Sequence, residues 1–224
     1  MLTAGTELTT AVTDLINGVI AIGPTLWFLG KKPRTKRDTL WAAAFGMLAL
    51  MSAAGFLIHG FVTPASLNDL LWCGMYLFLS LMVSAYVIAI KYDLDGENGL
   101  SRFLRADLLL AVMVSVGLGI LNYLYPDYSF VLFSVYCLAH LAYCIVRLWR
   151  QVRSRPCFRW YLLSIFFLIL GSALQAVKSI QFTLIWPFNY NAVYHWMTLL
   201  FMLVQFHGAR LAEEQHPREE APLS

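Results

Sequence analysis

The sequence predicts an all-α fold, a polytopic bundle of seven transmembrane helices, and three observations carry that expectation. Of the 224 residues, 59% are hydrophobic and only 13% charged; soluble domains average roughly 45–50% and about 25%. The apolar residues gather into seven stretches of about 20 residues or more, the length needed to cross a bilayer core. The stretches are separated by short, charged or Pro- and Gly-containing connections, which make successive helices antiparallel neighbours.

The first stretch, 8–29, is preceded by Glu7 and carries Thr10, Asp14 and Asn17 at spacings of three and four, which places them on one face. The basic run Lys31–Asp38 closes it. The second, 40–62, holds His59 near its end and is stopped by Thr63-Pro64. Asn68 and Asp69 are expected in the turn before the third, 70–91. The acidic loop that follows, Asp93–Gly99, resembles a calcium loop only loosely, because the spacing required after the glycine is absent. Stretches four and five, 103–125 and 129–149, are divided by Pro126-Asp127. His140 in the fifth has no obvious polar partner and reads as a packing histidine. The sixth, 157–184, includes Gln175, Lys178 and Gln181, spaced by three. Pro187, Asn189 and Asn191 mark the entrance to the seventh, 190–211, where Asn191 and His195 share a face continued by Thr198 and Gln205. Residues 1–212 are therefore expected to form one domain, and 213–224 a charged, disordered tail.

Charge distribution orients the bundle. Of the sixteen Lys and Arg, fifteen lie in or beside the connections after stretches one, three and five, or after stretch seven. The positive-inside rule then sets the N-terminus outside and the C-terminus in the cytoplasm of a multi-pass inner-membrane protein. Residues 1–7 contain no basic residue and no cleavage-site pattern, so no signal peptide is expected. The net charge of +3 reflects loop bias and implies no nucleic-acid partner. The four cysteines match no zinc or redox spacing and read as small buried hydrophobes. A retinal protein is disfavoured, since stretch seven has no lysine and Lys178 belongs to stretch six.

With that topology, Glu7, Asp14, His59, Asp69, Lys178, Asn191 and His195 all fall toward the outer side. Ionisable groups at membrane depth are costly, so they face the bundle interior and often carry function. The bland reading of each is an interhelical hydrogen bond or, for Lys178 with Asp14, a buried ion pair. Together they suit a zinc site with His59 and His195 as nitrogen ligands and Asp14 as third ligand. Asp14 or Asp69 would be the general base, Asn191 would orient a ligand or substrate carbonyl, and Lys178 would stabilise an oxyanion. Such a site would hydrolyse a lipid amide or ester.

A histidine near the outer end of helix two and another at the start of helix seven resemble the CREST superfamily, which includes alkaline ceramidases and the progestin and adipoQ receptors. Its hydrolases carry Ser-x3-His with a following Asp, and His-x3-His in helix seven, as a zinc site. Here the patterns read Gly55-x3-His59 followed by Asp69, and Asn191-x3-His195. The serine and one histidine are replaced. Thr13-Asp14, His59-Gly60 and Phe188-Asn189-x-Asn191-x2-Tyr194-His195 are similar to an uncharacterised bacterial family of like length. The resemblance implies a zinc-dependent lipid hydrolase or an inactive relative. Two alternatives stay open: a binding or sensing protein for a lipid or small molecule, and a proton-coupled carrier using Asp14, His59 and Lys178.

Overall fold

A computed structural model describes residues 1–97 and 100–215. Among them are seven helices: α1 (Thr6–Leu29), α2 (Lys36–Gly60), α3 (Ala65–Asp95), α4 (Leu100–Leu124), α5 (Pro126–Gln151), α6 (Phe158–Ala176) and α7 (Tyr190–Gln215). Six of these, all but α7, are long and apolar enough to cross a membrane. α7 is as long, with 26 residues, but carries His195, Thr198, Gln205 and a charged last turn. The chain thus has the make-up of a polytopic helical membrane protein. Its periphery agrees: Leu109, Met113, Val116 and Ile120 lie exposed along one side of α4, a stripe suited to lipid and costly in water.

Neighbours in sequence pack side by side, and α7 returns to lie against α1 and α6. α3 is the central helix, contacting α2, α4 and α5; its second half, from Ser80 to Ile90, is almost wholly buried. The start of α2 is fixed by a capping box, in which Thr35 Oγ1 accepts from the Asp38 amide and the Asp38 carboxylate accepts from the Thr35 amide.

Two expected boundaries shift. α3 begins five residues earlier than the stretch 70–91, after Pro64, so Asn68 and Asp69 sit in its first turns and not in a connecting loop. Pro at the cap position costs no intrahelical donor, which lets the helix start there. The sixth apolar stretch does not stay helical to 184. α6 ends at Ala176, and the chain folds back through a hairpin of β1 (Gln181–Thr183) and β2 (Pro187–Asn189). The register pairs Gln181 with Asn189, Phe182 with Phe188 and Thr183 with Pro187. The Phe182 and Phe188 rings stack with centroids 5.4 Å apart. This cross-strand aromatic pair gives a short hairpin a reason to exist that helical continuation would lose. Lys178, expected inside a helix, therefore lies exposed in the turn that follows α6. We call this side of the bundle the hairpin end. The N-terminal residues cover part of it: Thr3 donates to the Gly60 carbonyl and the Val62 amide to that of Met1.

The opposite, basic end is closed by a buried polar network. Asp93, wholly buried in the last turns of α3, accepts from Arg37 Nε (2.5 Å) and Nη2 (3.1 Å), Trp41 Nε1 (3.1 Å) and Tyr161 Oη (2.5 Å). Arg37 Nη2 also donates to the carbonyl of Ala209 in α7 (2.6 Å). Four helices meet at one carboxylate and one guanidinium. Lys31 pairs with Asp38 (3.1 Å) and with Glu213. Glu213 therefore belongs to α7 and its ion pairs rather than to a loose tail; residues 216–224 of the expected tail lie outside the described residues.

Candidate functional site at the hairpin end

Three helices build the site. On α1, Thr10, Thr13, Asp14 and Asn17 are buried on the face turned to α2 and α7, while Glu7, one turn earlier, is half-exposed. α2 brings His59 in its last turn, and α7 brings His195 in its second. The two imidazole centroids lie 6.5 Å apart.

The hydrogen bonds fix the tautomer of both rings. Thr13 Oγ1 is 2.7 Å from the Thr10 carbonyl, to which its hydroxyl must donate. The same oxygen, 3.0 Å from His195 Nδ1, is then left to accept, so Nδ1 carries the ring hydrogen. His59 Nδ1 lies 2.8 Å from Glu7 Oε2, a carboxylate oxygen that accepts. In the neutral form of either ring, Nε2 is thus the bare nitrogen. On His195 it points at Asp14, with Oδ1 3.5 Å away. Asn17 Nδ2 donates to the His195 carbonyl (3.0 Å), and Thr10 donates to Asn189 Oδ1 (3.0 Å), which also accepts from the Ala192 amide. These contacts lock the first turns of α7 to α1.

Asp14 owes its position to Gly55. A Cβ at residue 55 would stand 2.5 Å from Asp14 Oδ2 and 3.0 Å from Oδ1. At residue 55 α2 leaves a gap, and the carboxylate of another helix fills it. Beside His195, a narrow crevice is lined by Thr13, Ile16, Asn17, Trp196 and Leu199.

The structure thus brings Asp14, His59 and His195 together, with Glu7 and Thr13 behind the rings. Asp69 is half-buried on α3, one turn before Trp72, whose ring centroid is 6.3 Å from that of His59. Asn191 is turned to α6, where it accepts from Gln175 Nε2 (3.1 Å), and so braces α7 rather than facing the histidines. Lys178, exposed beyond α6, is neither a partner of Asp14 nor a member of the group, and the relay Asp14–His59–Lys178 loses its third station. Among the described residues no three His, Cys, Asp or Glu side chains already converge at metal-binding distance. The donors are present, but a metal would have to draw them together.

Sequence reasoning quoted Thr13, Gly55 and Asn189 only within motifs or as a helix-entrance mark and gave them no role in the site. The spacing of Thr13 from Thr10 and the position of Gly55, one turn before His59, were the available signals. It also misjudged His140, whose Nε2 lies 2.9 Å from Asp107 Oδ1. The partner sits on another helix, 33 residues away, where no local pattern could reveal it.

Fold and site define a class: a helical protein with the make-up of a membrane-spanning bundle, holding two histidines and a carboxylate buried near one end. The chain belongs to DUF6962, a family of unknown function, which it matches over residues 9–214. No curated protein matches it.

Proposed function

We propose that the hairpin-end group is a divalent-metal site, zinc by its donor set, in a CREST-like membrane hydrolase of lipid amides or esters. The observation that carries this reading is the paired tautomer. Each ring nitrogen Nδ1 is spent on an acceptor behind it, Glu7 for His59 and Thr13 for His195, which leaves both Nε2 lone pairs free. Metal-binding histidines are held in this way, with the second nitrogen oriented by a carboxylate or other acceptor. Asp14, next to His195 Nε2, supplies the oxygen donor. Catalytic zinc typically keeps three protein ligands and an open position.

Bound zinc would polarise the substrate carbonyl and lower the pKa of water to about 7. With Asp14 as a ligand, Asp69 is the general base that takes a proton from the attacking water and returns it to the departing amine or alkoxide. Water adds to the carbonyl carbon, the C–N or C–O bond breaks, and a fatty acid and an amine or alcohol leave. By the positive-inside rule the basic end is cytoplasmic, so the site opens to the outer leaflet of the inner membrane, where a lipid tail reaches it sideways.

The test is metal content by mass spectrometry on protein purified without chelator, with turnover of ceramide-type amides and ester lipids. About one zinc per chain is expected, lost in His59→Ala and in His195→Ala. Protein with only traces of metal, unchanged by either substitution, excludes the proposal. Stoichiometric metal without turnover of any lipid leaves the binding or sensing alternative.

A further inference from the structure

We propose that Asp107 and His140 form a second site, an intramembrane proton-binding pair that holds one exchangeable proton. It shares no residue with the hairpin-end group. Asp107 is the eighth residue of α4, roughly 10 Å along the helix from its basic-end start at 1.5 Å per residue. It is 7% exposed. His140 approaches it from α5.

The proton follows from the contacts. His140 Nδ1 is 2.9 Å from the Tyr136 carbonyl, which has no hydrogen to offer, so Nδ1 carries one. Nε2 is 2.9 Å from Asp107 Oδ1. A bare imidazole nitrogen and an ionised carboxylate at that distance would be two acceptors pressed together. A second proton must lie between them, on either atom. The pair then carries no net charge, the state an apolar interior favours.

The surroundings oppose loss of that proton. Asp107 Oδ2 is buried without a hydrogen-bond partner among the described residues, so a full carboxylate charge there would be left unsolvated. The groups facing the pair are neutral. α3 contributes Ser84, whose hydroxyl lies 3.3 Å from the Asp107 carbonyl and 3.1 Å from Tyr136 Oη, and the Ser80 carbonyl, 3.3 Å from the same phenol. α5 contributes that phenol, with its ring centroid 4.3 Å from the His140 ring. Release of the proton would set a bare nitrogen against a buried carboxylate and loosen α4 from α5.

The experiment uses the full chain in lipid nanodiscs. Thermal unfolding is followed from mildly acidic to alkaline pH for the wild type and for Asp107→Asn, whose side-chain amide can donate to Nε2 but cannot titrate. The wild-type Tm is expected to fall with rising pH more steeply than that of the variant, and parallel curves overturn the proposal. Should the variant fail to fold, 15N-histidine resonances of the wild type decide, with the His140 signal assigned by its loss in His140→Gln. A proton shared at Nε2 supports the pair. An unprotonated Nε2 beside an ionised carboxylate at neutral pH refutes it.

Discussion

Asp93 and Asp14 are both nearly inaccessible, at 0% and 4% exposure, yet they are built to opposite ends. Asp93 is saturated. Four hydrogen bonds from Arg37, Trp41 and Tyr161 converge on it, and a guanidinium cancels its charge. Asp14 has no cationic side chain against it among the described residues; its one ion-pair contact there is an imidazole nitrogen at 3.5 Å. A buried carboxylate with every lone pair engaged can only hold structure. Asp14 is instead seated by a glycine and left with one long contact, to an imidazole nitrogen of His195. The basic end is thus a lock, while the hairpin end leaves its carboxylate under-bonded.

Substitutions can break or sharpen that contrast. The largest effect is expected for Asp93→Ala, which leaves Arg37, 8% exposed, with only the longer ion-pair contact to Glu213 (3.8 Å). Loss of one partner of a buried pair costs about 3–5 kcal/mol, and thermal unfolding in micelles should show it. Asp14→Ala removes no comparable donor set and should cost about 1 kcal/mol or less, in line with intramembrane hydrogen bonds. Equal losses at the two positions would erase the distinction. Next comes Gly55→Ala, whose new methyl collides with the Asp14 carboxylate. Overpacking of this kind costs about 1–3 kcal/mol. In the double variant with Asp14→Ala the penalty should largely vanish, a coupling of about 0.5–3 kcal/mol in a double-mutant cycle; additivity would show that the two do not touch. The smallest effect is expected for Lys178→Ala. An exposed side chain outside both clusters should change stability by no more than about 0.5 kcal/mol and leave metal content as it was.

The hairpin-end group was legible because the cost of polarity in an apolar stretch makes every such residue conspicuous. Asp14, His59 and His195 stand out against their neighbours, and helical spacing alone puts Thr10, Asp14 and Asn17 on one face. The lock was not legible for the reverse reason. Arg37 sits in a basic run and Asp93 at the edge of an acidic one, where charge is ordinary and read as a sign of solvent. Only the extension of α3 to Asp95 and the packing of α2, α6 and α7 around it bury the pair. The hairpin was hidden by composition. Residues 180–186 are as apolar as a helix end, and the cross-strand stacking of Phe182 on Phe188 that favours strands depends on a turn the composition does not announce. His140 failed in the same manner, its partner being supplied by another helix.

Gly55 also constrains how this sequence can drift. Its missing side chain and the carboxylate of Asp14 occupy one volume between α1 and α2. A chain that gains a serine or alanine at 55 must give up the acid at 14 or move it, and one that shortens Asp14 opens a hole that a side chain at 55 can fill. The two positions should therefore change as a pair, each residue at one licensing a limited set at the other.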